Sequence, residues 1–305
     1  MFLRLPKRTL LLGIFTACMF CLLLISFNVL LQNEELRDVT SEALSNDRLV
    51  HDSKPRLAIL VPFRNRFDEL IVFVPQLSEF LRTQDIGSFK FYILNQSRRY
   101  RFNRGALANV GYLLAKRSSD YIAIHDVDLI PINKDLSYSY PEDGPFHLSS
   151  PDYHPQYNYK KYFGGILLIN NKQFELINGM SNRYFGWGLE DDDFYARVRA
   201  ANLPILRPQN LSTDRTNTFL HIHNNQKRDS FKSKEQQDVL RRRDKQTGLS
   251  NIRFSINAKH NITIDDHYDC TVYNIELSCN TKETPWCQHN YVRQFANRGP
   301  NDEAQ

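Results

Sequence analysis

The chain has 305 residues, 24% of them charged and 41% hydrophobic, with a formal net charge of +5. This is ordinary globular composition, and the length suits an anchor with one large domain or two small ones. The positive excess is modest and spread along the chain, which argues against a nucleic-acid-binding protein.

Thr9 to Leu31 is an uncharged run of 23 residues, long enough to cross a hydrocarbon core of roughly 30 Å as a helix. Arg4, Lys7 and Arg8 precede it, and Glu34 and Glu35 follow. The positive-inside rule therefore predicts a cytosolic tail over 1–8, a signal anchor over 9–31 and a luminal or external remainder. A cleaved signal peptide is the competing reading, but its apolar region is shorter and ends in a small-residue cleavage site that is not evident here. Residues 32–55 are polar and poor in aromatics, and are predicted to form a flexible stem.

A folded body is expected over 56–290, followed by a polar tail over 291–305. Leu57–Val61 reads as a buried strand, Phe67–Leu81 as a helix and Phe91–Leu94 as a second strand. Ala106–Ala115 reads as a helix and Tyr121–Ile124 as a third strand. This alternation predicts a parallel α/β sheet, in which ligands bind beyond the carboxyl ends of the strands. Polar motifs fall at those three ends: Arg64-Asn65-Arg66, Asn95-Gln96-Ser97 and Asp126-Val127-Asp128. Of the cysteines beyond the anchor, Cys279 and Cys287 close a short loop containing Pro285 and are the expected disulfide, with Cys270 left over. Asn95, Asn210 and Asn261 head glycosylation acceptor patterns; Asn95 ends an apolar strand and is expected to be unmodified.

Three constellations carry chemistry. Asp126 and Asp128 stand two apart on extended backbone, so both carboxylates point to one side, where they can share a hard divalent cation or divide binding and orienting roles. A turn at a strand end is the plain alternative. His221 and His223 have the same spacing; two imidazoles with one carboxylate suit a first-row transition metal with open positions, and shift the choice from Mg²⁺ toward Mn²⁺. Zinc is the rival, although it favours closed sites. Finally, Glu190-Asp191-Asp192-Asp193 precedes Phe194, Tyr195 and Val198, which places four acids in the first turn of a helix, where the dipole tolerates them. Gly186-Trp187-Gly188 comes immediately before, a large apolar paddle between flexible residues that suits a lid excluding water.

Five ordered motifs, Pro62-Phe63-Arg64-Asn65-Arg66, Phe102-Asn103-Arg104, Asp126-Val127-Asp128, Tyr162-Phe163-Gly164-Gly165 and Phe185 to Asp193, resemble those of the β-1,4-galactosyltransferases. The match runs from about Arg56 to Arg228 and more loosely to Cys287. Within that family the chain is most similar to the xylosylprotein branch, since His221-Ile222-His223 carries no Met and the stretches from His154 to Tyr159, Asn178 to Asn182 and Thr284 to Cys287 have that character. Phe185 departs from the Trp of many relatives but keeps an aromatic ring.

The resemblance implies a GT-A nucleotide-diphospho-sugar transferase fold, a Rossmann-like mixed sheet flanked by helices, with a luminal catalytic domain over 56–290. It implies that Pro62, Phe63, Arg64, Asn65, Arg66, Phe102, Asn103 and Arg104 hold uridine, and that Asp126 and Val127 line the nucleotide pocket. Asp128, His221 and His223 would bind Mn²⁺. Tyr157, Trp187 and Arg228 would contact the donor, and Tyr162 would favour galactose. Asp191 would be the base, with Glu190 and Asp192 fixing the sugars. The implied reaction is inverting transfer from UDP-galactose to xylose on proteoglycan core proteins at the Golgi membrane. Transfer to N-acetylglucosamine is the nearest alternative. A glycosidase also uses paired carboxylates, but needs neither metal triad nor nucleotide pocket. An inactive glycan-binding relative would show no Mn²⁺-dependent UDP binding.

Overall fold

The first strand of the computed structural model, β1 (Leu57–Phe63), is buried at every position, and its alternate residues serve two different cores. Leu57, Ile59, Val61 and Phe63 pack on one face of the sheet, against Leu70, Phe73 and Leu77 of helix α1 (Phe67–Arg82). Ala58 and Leu60 face the other side, against Leu107 and Val110 of helix α2 (Arg104–Ala115). The period-two pleat thus sets helices on both faces of a sheet buried on both sides. The structure describes residues 54–97, 99–223 and 229–291. The predicted tail and anchor, the stem up to residue 53, Arg228 and the end of the chain lie outside these residues.

Strands β2 (Phe89–Gln96) and β3 (Tyr121–His125) flank β1, both parallel to it. The remaining strands are β4 (Leu129–Pro131), β5 (Phe146–His147), β6 (Ile166–Asn170), β7 (Phe219–His221), β8 (Phe254–Ile264) and β9 (Tyr268–Leu277). The sheet order is β5-β6-β3-β1-β2-β9-β8, while β4 and β7 form a separate two-stranded ribbon. The four central strands are parallel; β6, β5 and β8 run antiparallel to their neighbours. The sheet is therefore mixed, a parallel centre with antiparallel flanks.

Helices α3 (Asn171–Leu176), α4 (Glu190–Ala200) and α5 (Lys234–Arg241) complete the body. α4 starts after Leu189, whose φ of 76° is left-handed, and its first turn holds the four predicted acids. The disulfide joins Cys279 to Cys287, and Cys270 is a buried free thiol. Asn210 and Asn261 are exposed, whereas Asn95 lies half-buried inside β2 with its amide donating to Asn274 at 2.8 Å.

Candidate active site

The connections that follow β1, β2 and β3 open onto one cleft of about 540 Å³. Pro62, Arg64, Asn65, Arg66, Phe102 and Arg104 line one part of it, continuing into Asp126, Val127 and Asp128. The Arg64 guanidinium lies 5.3 Å from the centre of the Phe102 ring and donates to the Tyr100 carbonyl at 2.8 Å. Arg66 is held by Glu69, a nearly buried carboxylate 2.8 Å away in the first turn of α1.

Two of the residues expected to hold uridine do not line the cleft. Phe63 is 2% exposed and points into the core beneath α1, as the alternation along β1 requires. Asn103 is fully buried as the N-cap of α2, accepting from the Ala106 amide and donating to the Asn182 carbonyl. The polar motif at the end of β2 is likewise internal: Gln96 ties down the Arg101 carbonyl and the Asn103 amide, and Asn95 pairs with Asn274.

The β4–β7 ribbon builds the cation site. It pairs Leu129 with His221, and the Ile222 amide donates to the Asp128 carbonyl at 2.9 Å. Asp128, immediately before β4, therefore faces both histidines. His223 Nδ1 stands 3.0 Å and His221 Nε2 3.8 Å from Asp128 Oδ2. The two imidazoles stack with centroids 5.6 Å apart, as the i, i+2 spacing predicts. One ligand atom from each of the three residues lies within 4.8 Å of the others. Asp126 is not in this group; its Oδ1 accepts from Arg104 Nε at 2.7 Å.

Glu190, Asp191 and Asp192 also line the cleft. Asp193, the fourth acid, turns inward and accepts from Arg197, Tyr184 and the Asp244 amide. Glu190 Oε2 is buried and has no hydrogen-bond partner among the described residues. Burial, then the Asp191 charge, pushes the Glu190 carboxyl up to about 7 despite Arg104. Burial, then the Asp192 charge, also raises Asp191 from its ordinary value. Burial disfavours the Arg104 cation, but Asp126 and Glu190 outweigh it and raise its pKa. Gly164 lets Asp191 come close, since a Cβ there would lie 3.3 Å from Asp191 Oδ2 and 3.0 Å from the Tyr162 ring.

Aromatic rings close the remaining side. Tyr162, 4% exposed, packs against Tyr157, Tyr159 and His154 with centroids 4.9–5.5 Å away. Trp187 is 45% exposed at the rim, 6.4 Å from Tyr157, between Gly186 and Gly188, both at positive φ. Tyr159, His154, Leu129, Asp229 and Lys232 also line the cleft without a role assigned from sequence. The repeated Tyr157, Tyr159, Tyr162 spacing was a signal for Tyr159; nothing local marks Lys232. Two other histidines, His125 and His147, are fully buried away from the cleft lining, and burial depresses them to about 4 and about 3.

Residues 39–141 match the N-terminal region of glycosyl transferase group 7, and residues 144–223 match the N-terminal domain of galactosyltransferase. A solved structure of Drosophila β-1,4-galactosyltransferase 7, a mutant in complex with manganese, UDP-Gal and xylobiose, superposes with a TM-score of 0.75. It is 47% identical, over 77% of this chain and 99% of that one. The fold is thus GT-A, that of nucleotide-diphospho-sugar transferases. Among curated proteins, β-1,4-galactosyltransferase 7 of Drosophila melanogaster is 48% identical over 76% of this chain and 72% of its own length. Xylosylprotein 4-beta-galactosyltransferase of Caenorhabditis elegans is 38% identical over 89% and 93%. The chain belongs to the β-1,4-galactosyltransferase family.

Proposed function

We propose that this protein transfers galactose from UDP-galactose, with inversion, to the 4-hydroxyl of xylose on proteoglycan core proteins, with Mn²⁺ as cofactor. The observation that carries the reading is the meeting, in one cleft, of the Asp128/His221/His223 set with the Glu190–Asp191 pair. The manganese, UDP-Gal and xylobiose of the Drosophila complex support the cation, donor and acceptor class. Two imidazoles and one carboxylate fit a first-row divalent ion that leaves positions open for diphosphate oxygens. When bound, such an ion offsets the negative charge that develops on the leaving diphosphate.

The residues of the chain do the rest. Arg64, Arg66 and Phe102 hold the nucleotide, with Asp126 and Val127 beside it. Trp187 closes over the bound donor and, with Tyr157, excludes water. Tyr162 flanks the sugar and disfavours the bulkier N-acetyl analogue. Asp191 takes the proton of the xylose 4-hydroxyl, and that oxygen forms the new bond to galactose C1. The bond from C1 to the diphosphate oxygen breaks, and UDP leaves with its electron pair. Attack from the face opposite the leaving group converts the α-linked donor into a β1,4 product. Glu190 and Asp192 position the sugar hydroxyls.

The uncharged run from Thr9 to Leu31, with basic residues before it, supports a single-pass type II anchor with a luminal catalytic domain; placement in the Golgi membrane is inferred from the proposed reaction together with that topology. The test is galactose transfer by residues 52–305, given UDP-galactose with a β-xyloside or an N-acetylglucosaminide, with and without Mn²⁺. Mn²⁺-dependent transfer to the xyloside is expected. Transfer to N-acetylglucosamine alone overturns the acceptor; neither transfer nor Mn²⁺-dependent UDP binding marks a glycan-binding relative.

A further inference from the structure

The segment leading to Trp187 is held at alternate main-chain groups by three separate parts of the fold. The Arg183 carbonyl accepts from Trp286 Nε1 at 3.0 Å, in the loop closed by the Cys279–Cys287 disulfide. The Phe185 carbonyl accepts from Gln236 Nε2 at 3.0 Å, on α5. The Trp187 amide donates to the Asp229 carbonyl at 2.7 Å.

One side chain binds all three holders. Arg101 Nη1 donates to the Trp286 carbonyl at 3.1 Å and to Gln236 Oε1 at 3.3 Å. Its Nε and Nη2 grip the Asp229 carboxylate at 2.8 and 2.9 Å, and Nη2 also reaches the Phe231 carbonyl at 2.8 Å. A guanidinium has five N–H groups, and all five are engaged in this way. The residue is 1% exposed, and a Cβ on Gly186 would lie 2.2 Å from its Nη2, so the hinge glycine rests directly on it. Lysine offers no planar fork and cannot bind three such divergent acceptors.

We infer that Arg101 is a positioning residue for transfer: it sets the resting place of the Trp187 lid through Trp286, Gln236 and Asp229, without lining the cleft itself. This rests on the reading of Trp187 as a lid over the donor.

The test uses the full chain in detergent with Arg101→Lys and Gln236→Met, neither residue lining the cleft. The chain has two tryptophans. Trp187 is 45% exposed and Trp286 1%, so acrylamide-quenchable fluorescence reports the lid. In the wild type, UDP-galactose with Mn²⁺ should protect Trp187 from quenching. Both variants should lose that protection and roughly 10–100-fold in kcat, with UDP affinity close to wild type and the protein still folded at the assay temperature. Should Arg101→Lys not fold, Gln236→Met carries the test alone. Wild-type protection and kcat in Gln236→Met, or losses that only track unfolding, overturn the role of Arg101. No donor protection in the wild type overturns the lid on which it rests. Absent wild-type turnover with protection intact would instead fault the proposed reaction, and the variants' protection still decides the positioning role.

Discussion

The Tyr159 hydroxyl donates to Asp191 Oδ2 at 3.4 Å across the cleft, while the Asp192 amide donates to Oδ1 at 3.0 Å. The carboxylate is aimed from two sides and has no cationic partner in direct contact among the described residues, which leaves it able to accept a proton. Asp191→Asn should therefore lose about 10²–10⁴-fold in kcat while keeping its UDP affinity. Steady-state kinetics and calorimetric UDP titration separate the two; near-normal turnover would show that another group is the base.

Removal of a cation ligand should act on binding. Even partners outside the ligand shell cost about 10–100-fold in metal affinity when removed, so Asp128→Asn and His223→Ala should each lose at least that in Mn²⁺-supported UDP binding. Chelation should abolish transfer and added Mn²⁺ restore it, with Mg²⁺ a poorer substitute because imidazole favours the softer ion. UDP titrations with each ion check this.

The Glu190 carboxyl, at about 7, lies above its ordinary value of 4.5. The folded state therefore holds this proton more tightly than the unfolded chain does. The resulting stability is fully present below about pH 4.5 and is lost as pH rises through 7. Melting of the metal-free protein should fall over that window, and Glu190→Gln should flatten the decline. An equal slope in the variant would assign the effect elsewhere.

Gly186 and Gly188 both have φ near +90°, but only Gly186 abuts Arg101; the nearest atom to a Cβ on Gly188 is Lys232 Nζ at 3.4 Å. Gly188→Ala meets backbone strain alone, of about 1–3 kcal/mol. Gly186→Ala meets that strain and a collision. Chemical denaturation should rank Gly186→Ala as the more destabilised; equal effects would show that Arg101 yields.

The strand and helix pattern from β1 to β3 was legible because buried parallel strands appear as apolar runs, and the three motifs follow their carboxyl ends. The β8–β9 hairpin was not legible, although Asp265 and Asp266, both at positive φ, sit in the three-residue turn between Ile264 and Tyr268, a short connection of the kind that joins antiparallel strands. Within the site, a recognised motif did not tell which neighbours face the cleft. Phe63 follows the pleat into the core while Pro62 and Arg64 do not, and Asn103 caps a helix while Phe102 and Arg104 flank the cleft. Asp193 is separated from Glu190, Asp191 and Asp192 by helical rotation, which turns it toward Arg197. Side-chain burial, absent from a motif, makes each of these distinctions.

The β4–β7 ribbon is only three residues long on each strand, yet it alone aligns Asp128 with histidines that follow more than 90 positions later in the chain. A cation held by Asp128, His221 and His223 would act as a rivet as well as a reagent. An ion that binds only the folded ribbon shifts folding by mass action, by about 2.7 kcal/mol at a hundredfold excess over its dissociation constant. Assembly of the donor site and closure of the excursion from Ala200 to Phe219 would then be one linked equilibrium, so manganese supply would raise resistance to unfolding as well as turnover.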